Sequence, residues 1–140
     1  MQLKNKKKTK IKVIGYTGPN ATGAKVGTDI SDLPFMLRAV SLARPNGPDP
    51  LHYGENYLIR WVTTENPAAE VTSVKLSYTT NGGLTWKAIG SPITGNPGSY
   101  SWTVPTFAKA KTKCKVKVDL YSGATKIGSD TSDYFFTIGP

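Results

Sequence analysis

The chain has one cysteine, Cys114, and one histidine, His52, among its 140 residues. A single cysteine excludes an internal disulfide, and these two residues are too few to form a zinc site. His52 lies in a Pro/Gly-rich segment with no serine or cysteine in local spacing, so we predict no catalytic residue, no cofactor and no enzyme. Cys114 alternates with Val116 and Val118, a pattern that indicates a small buried side chain.

Long apolar stretches are absent as well. No run approaches the roughly 18 residues of a membrane-spanning helix, so we predict no membrane span. The basic N-terminus is not followed by an apolar segment and therefore does not resemble a signal peptide. We expect the chain to be either cytosolic or a piece of a larger secreted protein.

Acidic residues are missing from the first part of the chain, where residues 1–12 contain six lysines. The formal net charge of +9 belongs mostly to this end, because residues 26–140 contain eleven basic and nine acidic residues. Residues 1–8 are predicted to form a flexible basic arm.

Helical periodicity is lacking, whereas Val, Ile, Thr, Tyr and Trp recur in alternating runs separated by Gly and Pro. From residue 38 onward about seven strands follow one another every 8–12 residues or so, which predicts an all-β, immunoglobulin-like β-sandwich over 38–140. Its clearest part is a hairpin with strands 74–79 and 84–89, joined by an Asn-Gly-Gly turn and followed by a loop over 91–98. Trp61 and Trp102 fall on inward faces and are expected to fill the core.

The chain also contains an internal repeat. The segment 9–13, TKIKV, matches 112–116, TKCKV, and 25–29 matches 126–130. Ser31, Asp32 and Phe35 match residues about 101 positions later, a distance that corresponds to one sandwich, and the first copy has a loop two residues longer. Residues 9–37 are therefore predicted to be a β-hairpin equivalent to the last two strands of a preceding repeat in a tandem array.

An isolated hairpin is marginally stable in water, and its free edges pair with other chains. Ile14 stands where the second copy has Lys117, so apolar residues occupy both faces of the first hairpin. We therefore predict self-association by strand addition, giving a homo-oligomer or filament or a contact with neighbouring repeats. The residues expected to carry this contact are Ile11, Val13, Ile14, Tyr16, Val26, Ile30, Phe35 and Leu37.

Two groups of lysines suggest an alternative function, the binding of an acidic polymer. These lysines are Lys6, Lys7, Lys8, Lys109, Lys111, Lys113, Lys115 and Lys117. The polymer is either an acidic polysaccharide or a nucleic acid. The polysaccharide is favoured, because bases stack on exposed aromatic rings and the sequence places only Tyr121 nearby. A solvated strand face that discourages edge aggregation explains the same lysines.

Two further alternatives remain. The acidic pairs Asp29/Asp32 and Asp130/Asp133 occupy equivalent places in the repeat, and they either cap turns and strand ends or form a Ca²⁺ site between domains. A carbohydrate-binding appendage of a larger enzyme ranks last, because the tryptophans fall at inward or hairpin-fixing positions.

Several motifs between residues 40 and 138 resemble the bacterial Ig-like repeats grouped with the Ser/Thr-rich, GPI-anchored yeast cell-wall family. The matching pieces are Pro45-Asn46-Gly47, Gly54, Tyr57 to Trp61, Asn81 to Trp86, Tyr100 to Pro105, Ser129 to Asp133 and Phe136 to Ile138. The chain departs from the family at Pro48-Asp49, where Gly-Glu is usual. The resemblance implies a non-enzymatic, secreted or cell-surface module, often in tandem. We therefore expect a structural role outside the cell, in adhesion or in a surface array. Residues 79–86 also resemble an Asp-box, a hairpin-fixing element, with Asn in place of Asp.

Overall fold

A computed structural model describes residues 6–33, 35–37, 39–64 and 70–140. These residues form two compact units, Lys6–Leu37, called the hairpin unit below, and residues 39–140, called the sandwich unit. Regular structure in the described residues consists of β-strands and one short 3-10 turn, Pro19–Ala21, so the predicted all-β fold is confirmed. No helix in these ranges is long and apolar enough to cross a bilayer.

The hairpin unit contains four strands: β1 (Lys6–Thr9), β2 (Lys12–Tyr16), β3 (Lys25–Ile30) and β4 (Phe35–Leu37). β1 pairs antiparallel with β4, and β2 pairs antiparallel with β3. The unit is therefore one long hairpin with an interruption in each arm. Strand β1 begins inside the segment expected to be a flexible arm, and residues 1–5 of that arm lie outside the described ranges.

The sandwich unit contains nine strands in its described residues. They are β5 (Val40–Arg44), β6 (Leu51–His52), β7 (Asn56–Thr63), β8 (Ser73–Thr79), β9 (Lys87–Thr94), β10 (Ser99–Thr103), β11 (Lys111–Ser122), β12 (Thr125–Thr131) and β13 (Phe136–Gly139). One sheet has the order β10-β7-β5, and the larger sheet has the order β6-β13-β11-β8-β9. Along one edge β11 pairs first with β13 and then with β12, while its other edge pairs with β8.

A single hydrophobic core takes side chains from both sheets, as in a β-sandwich. Trp61 on β7 and Trp102 on β10 are buried, as predicted, and the ring of Trp102 packs 5.3 Å from that of Tyr78 on the opposite sheet. The indole of Trp61 donates a hydrogen bond to Asn96 Oδ1 at 2.8 Å, which satisfies its only polar atom. Cys114 is fully buried, in agreement with the alternation around it.

The turn between β8 and β9 is held by the side chain of Asn81. Its Oδ1 accepts hydrogen bonds from the Thr79 hydroxyl and the Thr85 backbone N–H, and its Nδ2 donates to the Thr85 hydroxyl. The return strand begins later than predicted, at Lys87, and continues through the predicted loop to Thr94. Pro92 is compatible with this strand because β9 is an edge strand, where a missing N–H costs no ladder hydrogen bond.

Candidate functional site

The two arms of the hairpin unit are fixed by local hydrogen bonds around Ser31. The Ser31 hydroxyl accepts from the backbone N–H of Ile11 at 3.2 Å, and the Ser31 N–H donates to the Ile11 carbonyl at 2.9 Å. The ammonium of Lys10 donates to the carbonyl of Asp32 at 3.0 Å. These contacts bridge the interruption between the β2–β3 and β1–β4 pairs.

The same three contacts occur in the sandwich unit around Ser132. Its hydroxyl accepts from the N–H of Val116 at 3.0 Å, its N–H donates to the Val116 carbonyl at 2.9 Å, and Lys115 donates to the carbonyl of Asp133 at 3.1 Å. The closing hairpin of the sandwich, β11 to β13, therefore repeats the internal geometry of the hairpin unit.

The strand registers agree along the full length of the two hairpins. Lys12 pairs with Ile30 as Lys117 pairs with Thr131, and Thr9 pairs with Phe35 as Cys114 pairs with Phe136. Both hairpins shift register at the same two places, between Gly15 and Tyr16 and between Lys6 and Thr9 in the first copy. In the second copy the shifts fall between Leu120 and Tyr121 and between Lys111 and Cys114.

This pairing corrects the alignment made from sequence. On the first strand the equivalent residues are 105 positions apart, as Lys12 and Lys117 are, and not 103 apart. Ile14 is therefore equivalent to Asp119 and not to Lys117. The loop of the first copy, residues 17–24 between Tyr16 and Lys25, is four residues longer than residues 122–125 rather than two.

Most residues predicted to mediate self-association are exposed in the structure. The exposed fractions are 58% for Ile11, 63% for Val13, 37% for Ile14, 37% for Tyr16, 66% for Val26 and 44% for Ile30. Phe35 and Leu37 belong to β4, but their side chains lie outside the described set. Leu33, which the sequence analysis did not select, is 80% exposed.

The two hairpins differ in the burial of side chains at equivalent positions. Ile11, Val13 and Val26 correspond to three side chains of the second hairpin that are at most 1% exposed: Val116, Val118 and Ile127. A pattern of side chains suited to a core is thus displayed on an exposed sheet face.

The acidic pair of the second copy accepts hydrogen bonds from β5 and the loop that follows it. Asp130 Oδ2 accepts from the backbone N–H of Leu42 at 2.7 Å, and Asp133 exchanges two hydrogen bonds with Asn46. These contacts favour the capping interpretation over a Ca²⁺ site. The described residues contain no group of three or more His, Cys, Asp or Glu arranged to hold a metal ion.

The predicted lysines occupy several places. Lys6, Lys7 and Lys8 belong to β1 of the hairpin unit, where only the Lys8 side chain is described, and it is exposed. In the sandwich unit, Lys109 is exposed before β11, and the remaining four lie on β11: Lys111, Lys113, Lys115 and Lys117.

The outer face of β8 and β11 brings aromatic rings among these lysines. Lys117 Nζ lies 4.2 Å from the ring centroid of Trp86, and Lys115 Nζ lies 4.9 Å from that of Phe135. Lys75 Nζ lies 4.6 Å from the ring centroid of Tyr121. Sequence reasoning found only Tyr121, because Trp86 and Phe135 come from loops distant in the chain from β11. We call these six residues the lysine–aromatic face.

One acidic side chain lies among them. Asp119 is mostly buried, pairs across the sheet with Lys75 and forms a 3.1 Å ion pair with Lys126. Its charge is balanced locally, so the face remains basic. The cation–π contacts hold the lysine side chains in place, which lowers the entropic cost of binding an anion.

A cavity of about 360 Å³ lies beside the start of β7 and includes Arg44, Asp49, Glu55 and Tyr57 in its lining. Burial raises the pKa of the Tyr57 phenol above its ordinary value of 10.0, while Arg44 opposes this effect. The carboxylate of Glu55 accepts a hydrogen bond from the backbone N–H of His52 at 3.0 Å, which closes a turn. The lining contains no serine, cysteine or histidine that could act as a nucleophile or base, and the prediction of no enzyme stays a prediction.

No family model matches the chain, and the curated proteins contain no match either.

Proposed function

We propose that this chain is a non-enzymatic structural module with an immunoglobulin-like sandwich, which self-associates by strand addition through its hairpin unit. The observation that carries the proposal is the exposure of Ile11, Val13 and Val26, whose equivalents in the second hairpin are buried. Exposed apolar side chains beside an unpaired strand edge are stabilised when another sheet joins that edge.

The strand order supports the immunoglobulin-like assignment. The sheet order β13-β11-β8-β9 corresponds to strands G, F, C and C′ of that fold, and β5, β7 and β10 correspond to A, B and E. The motif resemblance to bacterial cell-surface repeats supports an extracellular location and a role in adhesion or in a surface array. A head-to-tail contact of this kind need not close into a ring, and it then produces a filament.

Sedimentation of the complete chain tests self-association. We expect the mass to rise with protein concentration, and the double variant I11K/V13K to remain monomeric because lysine ammonium groups oppose burial of that face. The control is L84K in the β8–β9 turn, where the leucine is 86% exposed and lies on the other unit. A complete chain that stays monomeric at all concentrations, like the double variant, contradicts the proposal.

The lysine–aromatic face supports a second candidate function, the binding of an acidic polysaccharide. Carboxylates spaced along such a polymer pair with the ammonium groups of Lys75, Lys115 and Lys117, which the aromatic rings hold in position. Binding of this type weakens as salt screens the charges.

Affinity electrophoresis in polygalacturonate tests this second candidate. The chain is expected to be retarded at low salt and released at high salt. The variant K115S/K117S is expected to lose the retardation, and the control K87S is expected to keep it. Binding that is insensitive to salt, or equal in all variants, contradicts it. Stronger retardation by single-stranded DNA identifies nucleic acid as the partner instead.

A further inference from the structure

The hairpin unit retains a glycine that its own surroundings do not require. In the second hairpin, a Cβ at Gly128 would lie 3.1 Å from Ala39 Cβ and 3.3 Å from a methyl carbon of Val40, so β5 approaches the glycine closely. At the equivalent Gly27, no atom of the described residues would lie within 4 Å of such a Cβ. Neither glycine has a positive φ. A glycine inside a strand weakens it, and close approach of another backbone is a common reason for its presence.

The acidic residues give a second indication. Asp130 accepts the backbone N–H of Leu42 on β5, and Asp133 is bonded to Asn46 just beyond that strand. Asp29 and Asp32 occupy the equivalent places in the hairpin unit and are exposed. The hairpin unit thus carries the groups that hold a strand like β5, at the register that β5 requires.

The free edge of β2 gives a third indication that the hairpin unit fits a missing partner. The N–H and C=O of Ile11 both face Ser31, so those of Lys10, Lys12 and Ile14 point to the opposite edge, as alternation in an antiparallel strand requires. In the described residues β2 pairs only with β3. The equivalent edge of β11 pairs with β8 in the sandwich unit.

We infer that residues 6–37 are the closing hairpin of a second sandwich, and that their partner is an open sandwich body, meaning strands like β5 to β10 without a β11–β13 hairpin of their own. The partner's β8-like strand pairs antiparallel with β2, its β5-like strand packs over Gly27 and donates to Asp29, and its core receives Ile11, Val13 and Val26. The inference goes beyond the proposed function and shares with it only that the hairpin unit is the contacting element.

A second folded copy does not offer this site. Its β8 already lies between β9 and β11, its β5 already donates to Asp130, and its β6 already pairs with β13. Only the outer edges of its sheets remain for strand addition. The open body is therefore the partner that buries Ile11, Val13 and Val26 at the register observed in the second hairpin.

A fusion protein tests the inference. Residues 38–105 are placed directly before residue 1 of the complete chain, so that residue 1 takes the place of residue 106 and the equivalence of Lys6 with Lys111 is preserved. We expect amide exchange at Lys10 and Lys12 to slow by on the order of 100-fold or more relative to the complete chain, because these amides gain a strand partner. The amide of Lys117 reports that the original sandwich is folded.

Two variants of the fusion make the test specific. G27V is expected to abolish the added protection, because a side chain at residue 27 meets the incoming β5-like strand. I14D is expected to keep it, because the equivalent residue is Asp119. Equal exchange in the fusion and the complete chain, with Lys117 protected in both, overturns the inference, and so does full protection in G27V.

Sedimentation of the same samples separates this inference from the proposed function. A complete chain that self-associates while the fusion gains no protection supports self-association and overturns the open-body partner. A complete chain that is monomeric while the fusion gains protection supports the open-body partner and overturns self-association. Failure of both measurements removes the hairpin unit as a contacting element altogether.

Discussion

The hairpin of strands β1 to β4 and the hairpin of strands β11 to β13 have the same register and the same two irregularities, but opposite exposure. Val13 is 63% exposed, whereas its equivalent Val118 is fully buried. The comparison shows that register is specified locally, by Ser31 or Ser132, by Lys10 or Lys115 and by the bulges, and does not depend on burial. Burial depends on the strands that surround the hairpin, and among the described residues such strands surround the second hairpin only.

The largest expected effect compares one substitution at two equivalent places. V118D places an unpaired carboxylate in the core and is expected to cost more than about 4 kcal/mol, enough to unfold the sandwich unit. V13D places the same group on an exposed face and is expected to change stability by less than about 0.5 kcal/mol. Urea denaturation followed by far-UV circular dichroism measures both, because it reports the strands of both units, whereas all three tryptophans lie in the sandwich unit. Equal losses in the two variants break the comparison.

The glycines provide the next comparison. G128V forces a side chain against Ala39 and Val40, and overpacking of this kind typically costs about 1–3 kcal/mol. In the complete chain, G27V meets no such neighbour, and we expect no loss of stability because valine is favoured in strands. Thermal unfolding of both variants checks this. Marked destabilisation by G27V means that residue 27 already has a close neighbour.

The serines sharpen the comparison further. S132A leaves the buried N–H of Val116 without its acceptor, at an expected cost of about 1–3 kcal/mol. S31A exposes the Ile11 N–H to water, which replaces the lost acceptor, so we expect a loss within about 0.5 kcal/mol. Denaturation of the two variants under identical conditions gives the difference. A larger loss for S31A shows that the first serine is already shielded from water.

The smallest effect concerns pH. Burial raises the pKa of the Cys114 thiol above its ordinary value of 9.0. A hydrogen bond with the backbone of Ile138 and the positive charge of Lys111 oppose this increase. The folded state therefore binds the thiol proton more tightly than the unfolded state, so stability is constant below about pH 9 and declines above it. Thr9 occupies the equivalent place in the hairpin unit and brings no such dependence. Denaturation between pH 7 and 10 measures the decline, and C114V is expected to reduce its slope.

Much of the sandwich could be read from alternation along the chain. The inward positions of Trp61, Trp102 and Cys114 follow from the two-residue period of a strand, and the structure confirms them. The continuation of β9 through Pro92 was missed because proline argues against a strand unless that strand is known to be at an edge. Strand β6 was missed because two residues are too few to show a period.

The sequence predicts that the two hairpins are equivalent, and their strand registers agree, but the predicted alignment on the first strand was wrong by two residues. Both TKIKV and TKCKVKV alternate lysine with apolar residues, and a shift of two preserves which side chains face inward. Only the backbone pairing distinguishes the two alignments. The lysine–aromatic face was also beyond sequence reasoning, since Trp86 and Phe135 meet Lys117 and Lys115 only after three separate segments have come together.

Cys114 has a practical consequence. It is the single thiol of the chain, it has no exposed surface, and its sulfur donates to the carbonyl of Lys111 on the same strand, β11. A thiol reagent reaches it only when the strands over it separate, so the rate of chemical labelling measures how often the second hairpin opens. Thiol labelling thus reports the opening of the β11–β13 hairpin, whereas the β1–β4 hairpin contains no cysteine to report its own opening.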